Sequence, residues 1–592
     1  MWTRTLCLNG RWSEGLASSF PKHTAHVPTF RYSGDIGYGA YIYIWVEYCL
    51  SHPASSTQFN LLKHRTHLTV LEEASRKHPS AIAFKIPSSD PQECPSITYS
   101  QWALDVDRLA QYWYHTLSKG GIDQGSVVAM CLGGHEYIDV IQVYAVLKAG
   151  YVPHTFSRLP GISVIQELLY KSNTQALIRS VDFKEVLETI QGLPIFDAAK
   201  LADAEESTMG PIPAMPEKQA QDTLHIAHTS GSTSGTPKLV YLTYGWMDGT
   251  VTKQEIIVHP GKRGPEVVNW MGNICHMAQF IGLVARALDG DCTILLRKPG
   301  DLDELIELVK RNILDVLFAF TPSLVKILNA SQFDVDLRDS LARLNRVRTG
   351  GAPLPRSAEE YATKNGINVV NVFGSTEVGT MLLSKGTRYD PANTLHVHNI
   401  PGTLYRFVEI ARPDAEIGHS NARLLELVIL SDSTDCPAPS FRSPDDGHFH
   451  TGDLWEQAKD GGYIYRGRDD DWINCENACL CDASAIEDIV RTTCTDLIFD
   501  CVVVGSGRPS PALFVEPKND SVEHEKLRGE IFTRILPFNE RLMVHERIAS
   551  VRMVIIVQKH ALPRTATKGN IRRKVVEGMY QNLLDEIYAP PK

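Results

Sequence analysis

A glycine-rich loop at Thr229–Lys238 brings together residue types that can hold phosphate groups. Its sequence, TSGSTSGTPK, combines hydroxyl residues, glycines and a final lysine directly after the apolar segment LHIAH. Backbone N–H groups, hydroxyls and one ammonium in such a loop can all face phosphate oxygens. The segment lacks the Walker A spacing because Pro237 precedes Lys238 where glycine is required. We therefore predict a nucleotide site without a P-loop fold, in preference to a solvated Ser/Gly turn.

The elements that must position this loop alternate between strand and helix. Short β-branched segments at Ser126–Leu132, CTILLR, DVLFAF, RVRTGG and NVVNVFG are separated by helical patterns such as YIDVIQVYAVLKAG and DLDELIELVKRN. This alternation predicts crossover units of a largely parallel sheet and an α/β class. Because ligands bind outside the carboxyl ends of parallel strands, the loops TSGSTSGTPK, GGAPL and GSTE are expected to meet in one site.

A second, smaller domain is predicted after a Gly/Asp-rich stretch. The segments GHFHTGDLW and GGYIYRGRDDD are typical of hairpins and turns, and they are expected to end the large domain. Beyond Trp472, the segments DCVVVG, ALFVEP and VRMVIIV predict further strands. The remaining chain of about 120 residues is long enough for a small domain. Residues 1–60 show no regular period and predict an irregular N-terminal extension.

Composition excludes several classes of protein. The 59 basic and 69 acidic residues give a net charge of −10, and the chain has no basic block, so nucleic acid is an unfavourable partner. The longest aromatic-aliphatic run, Ala40–Val46, is too short to span a membrane, and the first residues lack the apolar core of a secretory signal. A cytoplasmic protein with free thiols is therefore expected.

Six segments, in order, resemble the signature set of the adenylate-forming superfamily, which includes acyl-CoA synthetases, luciferases and adenylation domains of nonribosomal peptide synthetases. They are TSGSTSGTPK, GGAPL, NVFGSTEVG, HTGDLW, YRGRDDDWIN and LPRTATKGNIRRK. The chain from about residue 65 is most similar to the adenylation domain of fungal synthetase-like enzymes, including adenylate-forming reductases. The resemblance implies a large domain of stacked α/β layers at 61–469 and a small mobile α+β domain at 470–592.

By this resemblance, a set of loop residues would bind ATP. Asn371 and Phe373 would hold adenine against a wall formed by the GGA segment. Asp453 would accept hydrogen bonds from both ribose hydroxyls, and Arg468 would add donors at the same sugar. The implied nucleotide-binding residues are Thr229, Ser230, Gly231, Ser232, Thr233, Gly235, Lys238, Gly350, Gly351, Ala352, Asn371, Phe373, Gly374, Ser375, Asp453 and Arg468.

The resemblance also implies the catalytic groups. Glu377 would bind Mg²⁺ as a hard oxygen ligand, and Thr376 would offer a hydroxyl to the α-phosphate. Lys568 would stabilise the charge that develops during acyl-adenylate formation. Lys574 is the alternative, because the order of lysine and glycine in TATKGN departs from the wider superfamily. Asp470 would be the hinge between the two domains.

Two further positions bear on the second half-reaction and on the acid. Asn474 stands where the superfamily usually has lysine, so the two half-reactions are expected to be unequal. His276 lies in the segment that resembles the wall of the acyl pocket, and no aspartate occurs between Asn269 and Ala287 to pair with a substrate ammonium. The acid is therefore expected to lack an α-amino group. A histidine packed in the core is the other interpretation of His276.

Three cysteines near this position, Cys475, Cys479 and Cys481, have spacings that could suggest a metal. The CxxxC and CxC spacings lack a matching second pair, and the resembled family holds no metal there. Structural or incidental thiols are therefore the favoured interpretation.

The combined interpretation is ATP- and Mg²⁺-dependent activation of a carboxylic acid to acyl-AMP, with transfer to a phosphopantetheine thiol or to CoA. A carrier protein acting in trans is the expected macromolecular partner, since the chain contains no carrier segment: Gly133-Gly134-His135-Glu136 lacks the required serine. The alternatives are a stand-alone acyl-CoA synthetase and a catalytically impaired, nucleotide-binding remnant of a larger synthetase-like enzyme.

Overall fold

The computed structural model describes residues 64–87, 95–156, 162–205, 210–229, 238–257, 262, 264–388, 390–410, 424–469, 472–476, 480–542, 544–564 and 571–589. All of them belong to the compact unit Leu62–Lys592. The extension predicted at 1–60 lies outside the described residues. So do several residues singled out from the sequence: Ser230, Gly231, Ser232, Thr233, Gly235, Asp470, Cys479 and Lys568.

The helices of these ranges commonly begin at side-chain caps. Thr243, for example, accepts a hydrogen bond from the Trp246 N–H, which satisfies one of the donors left open in a first helical turn. The helices are α1 (His67–Lys77), α2 (Tyr99–Lys119), α3 (Tyr137–Lys148), α4 (Ile162–Lys171), α5 (Lys184–Leu187), α6 (Leu201–Glu205), α7 (Tyr244–Ile256), α8 (Met277–Asp289), α9 (Leu302–Lys310), α10 (Thr321–Ser331), α11 (Val335–Arg343), α12 (Arg356–Lys364), α13 (Ala483–Thr493), α14 (His524–Asn539), α15 (Arg573–Met579) and α16 (Gln581–Tyr588).

The strands of the same ranges are mostly short and apolar. They are β1 (Ile82–Lys85), β2 (Ser96–Thr98), β3 (Val127–Cys131), β4 (Val152–Phe156), β5 (Thr174–Arg179), β6 (Ile195–Asp197), β7 (Thr223–His228), β8 (Leu239–Thr243), β9 (Val267–Trp270), β10 (Cys292–Leu295), β11 (Val316–Phe318), β12 (Arg346–Gly350), β13 (Val369–Ser375), β14 (Gly379–Ser384), β15 (Thr394–Val397), β16 (Tyr405–Glu409), β17 (Leu424–Ile429), β18 (Phe449–Gln457), β19 (Tyr463–Arg468), β20 (Trp472–Asn474), β21 (Leu480–Asp482), β22 (Ile498–Val504), β23 (Ala512–Pro517) and β24 (Val554–Ile556).

The larger sheet combines a parallel and an antiparallel half. Within the described ranges its strand order is β16-β17-β18-β19-β15-β14-β13-β12-β11-β9-β10-β1-β2. The strands from β13 to β1 are parallel, which confirms the crossover units predicted from the alternating sequence pattern. Beyond β13 the strands are antiparallel, because short turns such as the one between β18 and β19 return the chain directly.

A second sheet precedes it in the chain, with the order β6-β5-β3-β4-β7-β8. It is parallel except for β8, which pairs with β7 in antiparallel fashion. The main core packs α1, α2, α3 and α8 with this sheet and includes Trp102, Trp113 and Trp270, which are at most 2% exposed. A separate core packs α9, α10 and α11 on Leu317 and Val347 of the larger sheet. The α/β layers expected from the resemblance are therefore present.

The C-terminal part has its own sheet of β22, β23 and β24. Alternating side chains of β22 enter two cores. Val503 packs with α13 and α14, whereas Val502 and Val504 pack with α15 and α16. This period-two alternation is what a sheet covered on both faces requires. In the described part of the chain, no helix has the length and apolar character needed to cross a membrane.

Candidate active site

The GGA loop lies at the carboxyl end of β12, beside β13. A Cβ on Gly350 would lie 2.6 Å from the Val372 carbonyl oxygen, so only glycine allows the two strands to approach here. Gly351 has φ +87°. The Thr321 hydroxyl, at the start of α10, donates to the Ala352 carbonyl over 2.7 Å and fixes the loop. Gly351 and Ala352 are exposed, as residues that contact a ligand should be.

The turn between β13 and β14 carries Thr376 and Glu377, both half-buried. Ser375 lies at its start, and its hydroxyl accepts a hydrogen bond from the Val378 N–H over 3.3 Å. A Cβ on Gly374 would lie 2.6 Å from the Gly379 carbonyl oxygen, which makes the hairpin tight at its base. Two side chains of α7 donate hydrogen bonds to main-chain carbonyls of this turn.

Phe373 precedes this turn and packs in an aromatic cluster. Its ring centroid lies 4.7 Å from that of Trp455 and 5.8 Å from that of Tyr465. Asn371, two residues earlier, is buried, and its amide donates to Asn393 Oδ1 over 3.4 Å. The structure therefore brings Phe373 to the edge of the site, and it gives the Asn371 amide a protein partner.

Asp453 and Arg468 face each other across β18 and β19. Arg468 Nη1 lies 3.4 Å from Asp453 Oδ1, and the Tyr465 hydroxyl donates to the same oxygen over 3.2 Å. Burial raises the pKa of the Asp453 carboxyl to about 6, and the negative charge of Glu377 acts in the same direction. Arg468 and the bonds from Tyr465 and Thr451 lower it. The two predicted ribose ligands and the predicted metal ligand therefore share one electrostatic environment.

Thr229 and Lys238 flank the predicted phosphate-binding loop and bind each other. The Thr229 N–H donates to the Lys238 carbonyl over 2.9 Å, and the Lys238 N–H donates to the Thr229 hydroxyl over 3.1 Å. These bonds continue the pairing of β7 with β8. The structure confirms the strand predicted before the loop, which is β7. It also contains a strand after the loop, β8, that the sequence pattern did not predict.

His276 is exposed and forms the N-cap of α8. Its ring lies 5.5 Å from that of Phe320 in an edge-to-face arrangement, and Phe320 is the residue nearest to a Cβ built on Gly351. The packed-core interpretation of His276 is wrong, because the residue precedes the first helical turn and does not lie on the buried face of α8. His276 is linked to the GGA loop through Phe320, and its place in an acyl pocket stays a prediction.

The remaining residues singled out from the sequence lie in the C-terminal part of the chain. Cys475 and Cys481 are buried in the small core, and no cluster of metal-ligating side chains occurs among the described residues. Asn474 ends β20. Lys574 lies in the first turn of α15. Arg564 donates to Asp500 over 2.6 Å and also binds Glu516, so it anchors the chain directly before the segment that contains Lys568.

Several residues of this site were not singled out from the sequence. Tyr465, Thr321, Trp246 and Lys253 contact the site through long-range bonds. For Tyr465 a local signal exists, since it lies in the same predicted hairpin as Asp453 and three positions before Arg468. The other three carry no motif, and only the folded chain brings them to the site.

Two family profiles cover most of the chain. The AMP-binding enzyme family matches residues 71–416, and the AMP-binding enzyme C-terminal domain matches residues 470–592. The chain therefore belongs to the AMP-binding enzyme family and is an adenylating ligase. Members of this family activate small carboxylic acids with ATP and Mg²⁺.

Curated relatives agree with this assignment. The AMP-binding domain-containing enzyme iboA of Amanita muscaria (strain Koide BX008) is 31% identical over 522 residues, which cover 84% of this chain and 98% of iboA. The carboxylic acid reductase of Neurospora crassa is 23% identical over 575 residues, which cover 88% of this chain and 50% of the reductase. The chain thus spans nearly all of iboA and half of the reductase.

Solved structures show the same fold. The anthranilate CoA ligase AuaEII in complex with anthranoyl-AMP aligns with a TM-score of 0.66 at 16% identity, over 88% of this chain and 98% of the ligase. The O-succinylbenzoate CoA synthetase MenE of Bacillus subtilis, in complex with ATP and magnesium ion, aligns with a TM-score of 0.64 at 16% identity, over 86% and 99% of the two chains.

Proposed function

We propose that this chain converts a carboxylic acid without an α-amino group to its acyl-AMP and then transfers the acyl group to a thiol. The observation that carries the proposal is the arrangement around β13: Gly350 of the GGA loop pairs with Val372, the Phe373 ring contacts Tyr465, and the Tyr465 hydroxyl donates to Asp453. Glu377 follows in the turn at the end of the same strand. A ribose-binding carboxylate and a hard metal ligand at one site suit a nucleotide with its phosphates, and neither is a nucleophile. We assign the nucleotide site to a large domain at 61–469, with 470–592 as a mobile domain that turns about Asp470.

The roles of the individual residues follow from their chemistry. Ionised Asp453 would accept hydrogen bonds from both ribose hydroxyls. Tyr465 and Arg468 bind one oxygen of its carboxylate and so hold the group in a fixed orientation. Phe373 would bound the adenine site opposite Gly350, Gly351 and Ala352. The hairpin that Thr229 and Lys238 close would present its N–H groups and hydroxyls to the phosphates.

Mg²⁺ fits the donors at this site. Glu377 offers a half-buried carboxylate, and Asp453 supplies a second negative charge close enough to interact with it. A bound Mg²⁺ would neutralise charge on the phosphate oxygens. Thr376 would donate its hydroxyl to an α-phosphate oxygen and so orient the phosphorus for attack.

The first half-reaction is then a displacement at the α-phosphorus. A carboxylate oxygen of the acid forms a bond to this phosphorus, and the bond to the bridging oxygen breaks, so pyrophosphate leaves. Catalysis of this kind depends on positioning and on charge stabilisation, for which Lys568 is the proposed mobile cation. In the second half-reaction a thiol displaces AMP from the acyl carbon.

The acid and the thiol are the finer parts of the proposal. The absence of any aspartate between Asn269 and Ala287 supports an acid without an α-amino group, since burial of an unpaired ammonium is costly. The similarity to a carboxylic acid reductase and to an anthranilate CoA ligase supports carboxylic and aryl acids as the first candidates. The acceptor is proposed to be phosphopantetheine on a carrier in trans, or CoA. A cytoplasmic location remains a proposal from the sequence.

Hydroxamate trapping tests the proposal directly. The chain is incubated with Mg·ATP, hydroxylamine and aryl, α-keto, fatty or amino acids, and acyl hydroxamate and pyrophosphate are measured. Hydroxamate with acids that lack an α-amino group is the expected result. Turnover confined to free amino acids would contradict the acid assignment. Absence of ATP binding would contradict the nucleotide site, whereas ATP binding without hydroxamate from any of these acids would favour the catalytically impaired, nucleotide-binding remnant.

A further inference from the structure

The ion pair of Lys253 and Asp435 lies behind the Thr376–Glu377 turn and is fully buried. Both side chains are 0% exposed. The Lys253 ammonium binds the Asp435 carboxylate and donates to the Val378 carbonyl over 2.9 Å and to the Thr380 carbonyl over 3.1 Å. An ammonium has three N–H donors, so each of them has a partner. Two of the three partners are main-chain carbonyls, one at the end of the turn and one at the start of β14.

Asp435 is itself fixed by neutral donors. The Tyr405 hydroxyl donates to one carboxylate oxygen, and the Ser433 hydroxyl donates to the other. Ser433 in turn accepts the Leu404 N–H over 2.9 Å. The chain around Asp435 lies close to α7. A Cβ built on Gly249 of this helix would be only 3.1 Å from Thr434 Oγ1. The carboxylate is therefore a rigid anchor for the ammonium.

Trp246 of α7 also contacts the turn that carries Thr376 and Glu377. It lies seven positions before Lys253, which is about two helical turns and places both side chains on one face. Its indole N–H donates to the Glu377 carbonyl over 3.1 Å. Gly379 has φ +76°, a backbone conformation that favours glycine, and the indole ring of Trp246 packs against it, 3.5 Å from the position of a Cβ. One helix face thus holds the carbonyls of Glu377, Val378 and Thr380.

Stability alone is a weak reason for such an arrangement. Burial of two charges removes their hydration, and well-packed apolar residues are often at least as stable. An apolar pair would, however, remove the hydrogen bonds from the ammonium to the Val378 and Thr380 carbonyls. We propose that Lys253, anchored by Asp435 and assisted by Trp246, is a positioning residue that sets the Mg²⁺ and phosphate ligands Glu377 and Thr376. This inference rests on the proposed function of that turn.

The test compares variants that separate stability from positioning. Lys253→Met leaves Asp435 charged and unpaired, whereas Lys253→Met with Asp435→Asn removes the unpaired charge without restoring the carbonyl bonds. Trp246→Phe keeps the ring and removes one donor. Lys262→Met is the matched control, because Lys262 is 8% exposed and pairs with Asp289 and Asp291 over 2.6 and 2.8 Å, away from the turn.

Two readouts are used for each variant. Calorimetry with α,β-methylene-ATP, with Mg²⁺ and in EDTA, gives the increase in affinity that the metal provides. Pyrophosphate exchange gives kcat and the KM for the acid. Thermal unfolding is recorded in parallel.

We expect Lys253→Met to lower Tm and the double variant to recover part of it. In both, the metal-dependent increase in affinity should fall roughly 10–100-fold, and kcat should fall while the KM for the acid is unchanged. Trp246→Phe should show a smaller change in the same direction. Lys262→Met should lower Tm and retain the wild-type metal effect.

Two results would overturn the inference alone. One is a double variant that regains both Tm and the wild-type metal effect, and the other is an equal loss of that effect in Lys262→Met. A wild-type chain whose affinity for the analogue does not change with Mg²⁺ would overturn the proposed function, and this inference with it.

Discussion

Asp453 and Arg468 are register partners on β18 and β19, and the guanidinium of Arg468 packs closely over the glycine between Thr451 and Asp453. Gly452 has φ +68°, and a Cβ there would lie 3.1 Å from Arg468 Nη2. A larger residue would require a small shift of the guanidinium and would be strained at this φ value. Gly452 is therefore part of the local geometry of the pair, although it carries no charge.

The first prediction concerns nucleotide affinity. Asp453→Ala should weaken binding of Mg·ATP by about 1.5–3 kcal/mol, because a charged acceptor for two hydroxyls is lost. Titration calorimetry measures the change. Asp460→Ala is the control, since Asp460 lies in the turn of the same hairpin and is paired with Lys385 at the surface over 2.9 Å. Equal affinity of the Asp453 variant and the wild type would show that the ribose site is assigned wrongly.

The second prediction is a pH dependence of binding. Burial raises the pKa of Asp453 to about 6, so the carboxyl is protonated below this pH and ionised above it. The ionised form accepts ribose hydroxyls, and ATP affinity should therefore rise between pH 5 and pH 7. Asp453→Asn should flatten this part of the profile. A wild-type affinity that is constant over the same range would contradict the assignment.

The third prediction distinguishes the two candidate lysines. Lys568→Ala should suppress pyrophosphate exchange with little effect on Tm, because a cation that acts in the transition state contributes little to folding. Lys574→Ala is the comparison variant, and it should remain active. Lys574 lies in the first turn of α15. The opposite pattern would transfer the catalytic role to Lys574.

The fourth prediction concerns the balance of the two half-reactions. Acyl-AMP should accumulate on the protein, because Asn474 stands at the position where the resembled superfamily usually has lysine, and this change is expected to affect the second half-reaction more than the first. Single-turnover assays with labelled ATP, with and without CoA or a pantetheinylated carrier, measure both steps. Rapid acyl-CoA formation at low CoA would instead favour a stand-alone acyl-CoA synthetase.

The fifth prediction is a loss of stability in acid. Burial lowers the pKa of His67 and of His154, and it lowers that of His225 to about 4. Below their ordinary value of 6.5, the unfolded chain binds protons that the folded chain does not, so the free energy of unfolding should fall as the pH drops from 6.5 towards 4.

A matched pair of variants checks this effect. His67 packs against Tyr144 and Phe280, so His67→Phe should keep the packing and reduce the loss of stability in acid. Each unit of lowered pKa corresponds to about 1.4 kcal/mol. Denaturant unfolding at pH 5 and pH 7 measures it. His524→Phe, at an exposed position, should leave the difference between the two pH values unchanged.

The parallel strands and their loops were predictable because their signals are local. A short apolar segment followed by glycine and hydroxyl residues predicts a strand and a ligand loop, and β12 and β13 follow this pattern. The strand order in the antiparallel half of the larger sheet depends on which turn joins which strand, and the local sequence encodes this only weakly. Lys253 and Val378 are 125 positions apart and carry no motif, so their contact depends on the folded chain. His276 was ambiguous because periodicity cannot show that a residue lies one position before a helix.

Trp246 and Lys253 bind the turn that carries Thr376 and Glu377, the proposed phosphate and metal ligands, through main-chain carbonyls, which every amino acid supplies. The side chains at 376 and 377 can therefore be exchanged without loss of these bonds. Glu377→Gln and Thr376→Val should preserve the fold of the hairpin while they change its ligands. Architecture and chemistry are thus separable at this turn, which makes it a suitable position for altering the metal preference of the enzyme by design.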